Sequence, residues 1–460
     1  MLPNSHARRA SKYHPLAACI AGMFALSSPL ASWAASTWTV TDCTDDPSSG
    51  YAANQIGSLR FVVMHAASGD TIDLKHLPLN CSTISLQNGA IAISQDDLTL
   101  NGPGRDALTI TGKDSPQPDR ILNHTGAGAL YLKNLSIAYG NPQIAGQTLA
   151  GGCILSSSQY GSVFLHDVSV EHCEISSADQ PTFGGGVAAA GPLTLLHSNV
   201  SFNMASGIAP VAGGVFSGEK LQVKYSTITE NSVHHTGNVS IGVPPVAGLF
   251  TASDLVLDHS TVSNNIAEGS YTVGGVECAL GTSSAAASIS NSTISGNAGS
   301  DAGGMLLLRD TITIRNSTIA FNLVANANGT GAGASVLAPA GTVLLESTLI
   351  SNNSRAGSEL DFSASPQTII NGGGNLVVSS TVTLPPDTIP AKPFLGPLQN
   401  NGGPTLTHAL LPGSPGIGVG LNTKGFATDQ RGPGYLRSTS TGTTDIGAFE
   451  FDAIFWNGLE

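Results

Sequence analysis

Residues 212–233 read AGGVFSGEKLQVKYSTITENSV, and residues 247–267 read AGLFTASDLVLDHSTVSNNIA. Both follow one plan: glycine, an apolar pair, a short turn, an alternating run, then Ser-Thr-apolar and a closing Asn. The glycine element is a full Gly pair at Gly151-Gly152, Gly185-Gly186, Gly213-Gly214, Gly274-Gly275 and Gly303-Gly304, with looser copies at Ala247-Gly248 and Gly331-Ala332-Gly333. The closing Asn falls at Asn203, Asn231, Asn265, Asn297, Asn322 and Asn352, at intervals of 28, 34, 32, 25 and 30 residues. Self-similarity at such a period marks a stacked repeat architecture.

Three short strands per repeat, each alternating in and out, cannot bury their inward faces alone. Winding them into a coil and stacking the coils about 4.8 Å apart joins the inward faces into one core. The expected fold is therefore all-β, a parallel β-helix of roughly ten coils between Asp70 and Val382 at that spacing. The Gly pairs are expected where the backbone turns tightly or needs a positive φ. The Asn row is expected to tolerate the left-handed conformation and to bond from coil to coil through its amides, a structural ladder rather than a catalytic feature. Cys173 holds the Asn position of the first full coil. Open coil ends need covers. Gly57–Ala67 has helical spacing at Leu59, Val62, Val63 and Ala66, a short N-terminal capping helix. The organisation read from the chain is a signal peptide over 1–34, an N-terminal cap over 35–69, repeats over 70–383, a Pro/Gly-rich C-terminal region over 384–451 and a tail over 452–460.

Composition supports a close-packed strand protein. Among 460 residues 55 are Gly, only 11% are charged and 5% aromatic, whereas ordinary domains carry about 25% charge. Mean hydropathy is +0.13, which excludes a disordered chain. Arg8, Arg9 and Lys12, the apolar stretch from Leu16 to Leu30 and Ser32-Trp33-Ala34 form a secretory signal; the lipoprotein-like Leu16-Ala17-Ala18-Cys19 and the Arg8-Arg9 pair are weaker readings of the same segment. Beyond Ala34 no apolar run approaches the ~18 residues of a membrane span. The net charge of −13, about −16 without that leader, argues against nucleic acid, which needs clustered Lys and Arg. Of the five remaining cysteines, Cys43 with Cys81 and Cys153 with Cys173 are the expected disulfides of an oxidising compartment. A zinc site is the alternative, though no CxxC pair or His cluster supports it.

Several segments resemble a known group. GSLRFVVMHAASGDTIDL (57–74) and DDLTLNGPGRDALTITG (96–112) resemble the opening coils of secreted bacterial right-handed parallel β-helix proteins. LGPLQNNGGPTLTHALLPGSPGIGVG (395–420), TDQRGPG (428–434) and DIGAFEF (445–451) resemble a choice-of-anchor Q domain. The Gly-Gly-apolar and Asn motifs are similar to the repeats of polymorphic outer-membrane proteins. Gly416-Ile417-Gly418 lacks the Asp usual at that point. The resemblance implies a single-stranded, right-handed, pectate-lyase-like solenoid that is secreted or surface-exposed, and it implies no reaction.

A β-helix enzyme acting on polysaccharide needs carboxylates at matching positions of adjacent coils, either to hold calcium or to act as acid and base. The best row here precedes the Ser-Thr element. It places Lys224 beside Asp258, with His197 and His259 on the same stripe. These four are the weak catalytic candidates; a solvated Lys224–Asp258 surface pair is the plain reading. Glu277, Arg309 and Asp310 read as solvated singletons. The sequence thus points to an exported, non-enzymatic, monomeric β-helix protein of the cell surface or medium. Its expected partner is an extracellular glycan or a host or cell-surface protein, with no cofactor and no metal. The alternative is a β-helix polysaccharide lyase or glycoside hydrolase, under which alone Ca²⁺ enters; a trimeric phage-type fibre fits the leader badly.

Overall fold

A computed structural model describes residues 35–45, 56–143, 149–237, 242–279, 285–338, 340–438 and 442–451. The signal segment over 1–34 and the tail over 452–460 lie outside the described residues. The chain is nearly all β, a solenoid of about 11 turns built from parallel strands, with one short helix near its start. One coil shows the plan: strands Val187–Ala189, Leu193–Leu196, Asn199–Ser201 and Met204–Gly207. The coil thus has four strands and not the three expected, because two left-handed residues, His197 at φ 49° and Phe202 at φ 56°, break the path after the second and third strands. Parallel pairing carries each strand onto its counterpart: Leu193 on Leu221, then on Leu255, and Val200 on Ile228, then on Val262. Those inward side chains are almost wholly buried in one continuous cluster, which is why alternation sufficed to define the strands.

The asparagines form the ladder that ties the coils. Asn231 donates from its backbone N–H and from Nδ2 to Asn265 Oδ1, both at 3.0 Å, and its Nδ2 also donates to Val200 O at 2.9 Å. The pattern runs from Asn203 through Asn297 and Asn322. It opens at Cys173, whose N–H donates to Asn203 Oδ1 at 2.9 Å. The last rung is Asn353 and not Asn352: Asn322 donates to Asn353 Oδ1 at 2.9 Å, while Asn352 takes φ 62° one residue earlier. The motif slips there because Thr348, not Ser347, plays the part of Ser226, its hydroxyl donating to the carbonyl two residues back. Asp361 Oδ1 then accepts from Asn353 and ends the row.

Two backbone expectations change with this geometry, one for the asparagines and one for the glycines. The ladder asparagines are not the left-handed residues; the residue before each one is, as at Phe202, Glu230, Asn264 and Phe321. Of the Gly pairs of the repeat, only Gly151-Gly152 includes a positive φ, at Gly151 (64°); the later pairs have none. A Cβ on Gly214 would sit 3.0 Å from the Asn231 amide, and one on Gly213 would lie 2.4 Å from Ser232 O. These glycines make room for the ladder and the neighbouring coil.

The helix Leu59–His65 covers the N-terminal end, its first turn capped by Ser58 accepting from Phe61 N–H, with Leu59, Val62 and Val63 buried. Cys43–Cys81 and Cys153–Cys173 are both joined, and Cys278 is free and buried. Glu277 and Arg309 are not solvated singletons. Arg309 is buried, with Nε donating to Cys278 Sγ at 3.2 Å and Nη2 to Ser253 O at 2.7 Å. Glu277 pairs in register with Phe250 and Leu306 in a second apolar cluster outside the solenoid wall. Both its carboxyl oxygens lack a partner, and burial, helped by Asp301, pushes its pKa well above the ordinary 4.5.

Two outcomes follow from this packing. Asn297→Ala removes the side-chain partner of Val262 O and of the Asn265 backbone N–H, and one of the two acceptors of Asn265 Nδ2, so denaturant unfolding should show a loss of about 2 kcal/mol; an unchanged midpoint would refute the ladder. Glu277 ionises above pH 4.5 only when the chain unfolds, so its share of stability is complete below that pH and is lost as pH rises toward the folded value. Glu277→Gln should therefore melt like the parent at pH 4 and at a higher temperature by pH 8, in thermal scans across that range.

Candidate functional site

From Thr109 to Thr318 the third strand of each coil turns a hydroxyl or amide outward at one register position, before Leu349 takes that place in the next coil. Thr109, Ser136, Ser169, Asn199 and Thr227 succeed one another in the row, and Thr261, Thr293 and Thr318 continue it. Ser and Thr suit this place because they fit a pleated, half-exposed surface while keeping a polar tip.

The later part of the row is covered by the chain's own C-terminal region, which includes the antiparallel pair Leu395–Gln399 and Thr407–Leu410. Thr261 Oγ1 donates to Leu406 O at 2.7 Å, Thr293 Oγ1 to Gln430 Oε1 at 2.6 Å, and Ala448 N–H to Thr318 Oγ1 at 3.0 Å. Burial holds the His408 pKa down. Its neutral ring then donates from Nδ1 to Gly396 O at 2.8 Å, leaving Nε2 to accept from Ser295 Oγ at 2.8 Å. Arg437, fully buried, reaches Asn291 Oδ1 at 2.7 Å and Glu450 Oε1 at 2.9 Å. Burial and the neighbouring Asp445 push Glu450 up, against the pull of Arg437.

The earlier part of the row faces open space, though Ser136 and Ser169 are themselves largely buried and the Ser136 hydroxyl donates to Arg105 O at 2.7 Å. It floors a groove of about 810 Å³ between the Arg105-Asp106 turn and Pro404 of the C-terminal region. At the corner beside this floor, His166, His197, Tyr225 and His259 succeed one another, with ring centroids 6.3, 5.0 and 4.6 Å apart. Arg105 crosses the groove wall, its guanidinium 3.6 Å from Asp167 and donating to His197 O at 3.0 Å. Burial, with His166 beside it, holds the His197 imidazole below its usual range, against the opposing charge of Asp167. Burial and Asp258 raise the Tyr225 phenol.

Of the four residues singled out from the sequence, only His197 is among those lining the groove. His259 is buried under the C-terminal region, its carbonyl accepting from Thr405 at 3.3 Å and its Nε2 lying 3.4 Å from Thr428 Oγ1. Asp258 is the register partner of Lys224, but among the described residues its close contacts are His259 Nδ1 at 3.0 Å and the Ser290 hydroxyl at 2.7 Å. Burial raises its pKa, yet these contacts and Lys224 leave it below the ordinary carboxylate value. The sequence reading missed Arg105, Asp106 and Glu171 as groove residues. Arg105 stands in the quoted GPGRD turn and Asp167 in the same pre-Ser row, but their meeting spans separate coils and no motif spacing announces it.

The groove offers hydroxyl, amide, imidazole and carboxylate groups, and among the described residues no three His, Cys, Asp or Glu side chains are placed to hold a metal ion. In comparisons with known proteins, no family model, no curated protein and no solved structure matches the chain.

Removing Arg437 strands Glu450 and opens the contact with Asn291. Arg437→Ala should lower stability by about 3 kcal/mol and expose residues 395–451 to limited proteolysis before the solenoid is cut. Digestion of the solenoid and this region at equal rates would show that the arginine does not hold the cover.

Proposed function

We propose that this is an exported β-helix protein, at the cell surface or in the medium, that binds a linear glycan along the open groove in adhesion or surface contact without turning it over. The observation that carries the reading is the open row of Thr109, Ser136, Ser169, Asn199 and Thr227 beneath the rings of His197 and Tyr225. Its polar groups recur at about 4.8 Å along the solenoid axis, close to the length of one hexose unit. A chain lying along that axis can therefore present one hydroxyl-bearing unit to each coil. Saccharide sites combine such directional hydrogen bonds with the faces or edges of flat side chains. Two disulfides suit an oxidising compartment, and the likeness of 395–451 to a choice-of-anchor Q domain fits surface placement. In this reading the protein acts as a monomer.

A polysaccharide lyase or hydrolase would need Asp258, His259, Lys224 and His197 at one site, with calcium in the lyase case. The cover over His259 counts against that arrangement.

Titration calorimetry with β-linked oligosaccharides of one to six units tests the proposal. Affinity should climb with length and level off near four units, the span of the open row at the coil spacing. Asn199→Trp should fill the floor and abolish binding with an unchanged melting temperature. No new reducing ends or unsaturated products should form; turnover, or binding indifferent to Asn199→Trp, would overthrow the reading.

A further inference from the structure

We infer that the glycan taken by this groove carries free amino groups, an inference that rests on the groove being a glycan site. Three carboxylates, Asp106, Asp167 and Glu171, line the groove, against one guanidinium, Arg105. That guanidinium is already committed, 3.6 Å from Asp167 and donating to His197 O. Asp106 and Glu171 make no ion pair among the described residues. No lysine is among the residues lining the groove; Lys133 lies over the Tyr131 ring at 5.6 Å and Lys113 over the Tyr139 ring at 5.2 Å. The groove therefore holds excess negative charge, in a chain whose net charge is −13.

Charge of one sign in a concave site raises the local concentration of ligands of the other sign and repels its own. A uronate chain would set a carboxylate per unit against Asp106 and Glu171. A neutral chain would meet their oxygens with hydroxyls alone. An ammonium group on the sugar ring forms charge-assisted hydrogen bonds to the same oxygens. Spacing agrees with this. Thr109 pairs with Ser136 and Ser136 with Ser169, so Asp106 and Glu171 belong to coils two apart. That separation is about 10 Å along the axis, close to two hexose units. A β-1,4-linked glucosamine polymer can bring a nitrogen to each acid with its backbone on the hydroxyl floor.

Calorimetry at low salt would compare the glucosamine tetramer, its N-acetylated form, cellotetraose and tetragalacturonate, on the parent protein, on Asp106→Asn/Glu171→Gln and on Asn199→Trp. The glucosamine tetramer should bind about tenfold more tightly than its N-acetylated form, the sum of two partly exposed ion pairs. The double variant should bring that ratio to about one with an unchanged melting curve, and Asn199→Trp should abolish binding of both. Equal or tighter binding of the neutral tetramers to the parent protein would overturn the amino-sugar inference and leave the groove reading standing. Binding of no tetramer would overturn both. Glucosamine binding that survives Asn199→Trp would place the cation outside the groove. A tetralysine peptide that binds as tightly as the glucosamine tetramer and is blocked by Asn199→Trp would make this a basic-peptide site instead.

Discussion

From Cys173 to Asn353 each coil is held to the next by a buried side-chain amide, and the wall there is arranged around that row. An Asn whose two amide hydrogens and carbonyl oxygen are all engaged is inexpensive to bury; the same residue with one partner missing is costly. Each rung from Asn203 to Asn353 therefore demands the next, and the demand fixes register across coils of unequal length, since the loops between fourth and first strands vary while the ladder does not. The row needs chemically distinct ends. Cys173, tied to Cys153, supplies a backbone donor at one end. At the other, Asp361 supplies an acceptor, with burial pushing its pKa up to about 6.

The ladder also governs what may stand beside it. Gly186, Gly214, Gly275 and Gly304, each the second of its pair, lie against a rung amide, so any Cβ there would push the rung out of line. The residue before the rung must turn left-handed, at a cost of about 1–2 kcal/mol for a residue with a side chain. Tyr139, His172 and Phe202 occupy successive places of this kind, and their rings stack with centroids 4.9 and 5.1 Å apart. Stacking between like positions of adjacent coils offsets part of that strain, and it uses the ring faces on one another. Flat residues at these turns are thus better explained as supports of the wall than as a sugar platform.

What could be read in the chain is what repeats. Alternating apolar residues and the recurrent Asn disclosed the coil, its core and the helical cap at Leu59–His65, because each is local and periodic. Repeat spacing puts a rung at Asn352, but the working hydroxyl belongs to Thr348 and not to Ser347, which shifts the rung to Asn353; sequence spacing cannot tell which of two adjacent small polar residues bends the chain. Glu277 looked like one of many outward residues on a first strand, and its burial depends on Phe250 and Leu306, which belong to the coils on either side. The docking of 395–451 was hidden for a similar reason. Gln430 meets Thr261 and Thr293 over 169 and 137 residues of sequence, and nothing periodic joins them.

The boundary between the covered and open parts of the hydroxyl row has a physical cause. Burying Thr261, Thr293 and Thr318 is tolerable only because the C-terminal region meets them with a carbonyl, a side-chain amide and a backbone N–H. At the edge of that region the chain runs through Gly402, Gly403 and Pro404. Both glycines are left-handed, at φ 97° and 76°, and a side chain on Gly402 would run into Tyr435. Tyr435 is held in turn by Arg431, whose guanidinium lies 4.0 Å from its ring and 3.9 Å from the Phe449 ring. Pro404 has no N–H to offer the next coil. Hydrogen-bonding cover therefore stops at this turn, and Thr227, Asn199 and Thr109 keep part of their surface in water, with Ser169 and Ser136 set deeper between them. The stacked cation behind Tyr435 keeps the turn stiff, so the end wall of the groove is a fixed surface, which lowers the ordering cost for whatever chain the open hydroxyls receive.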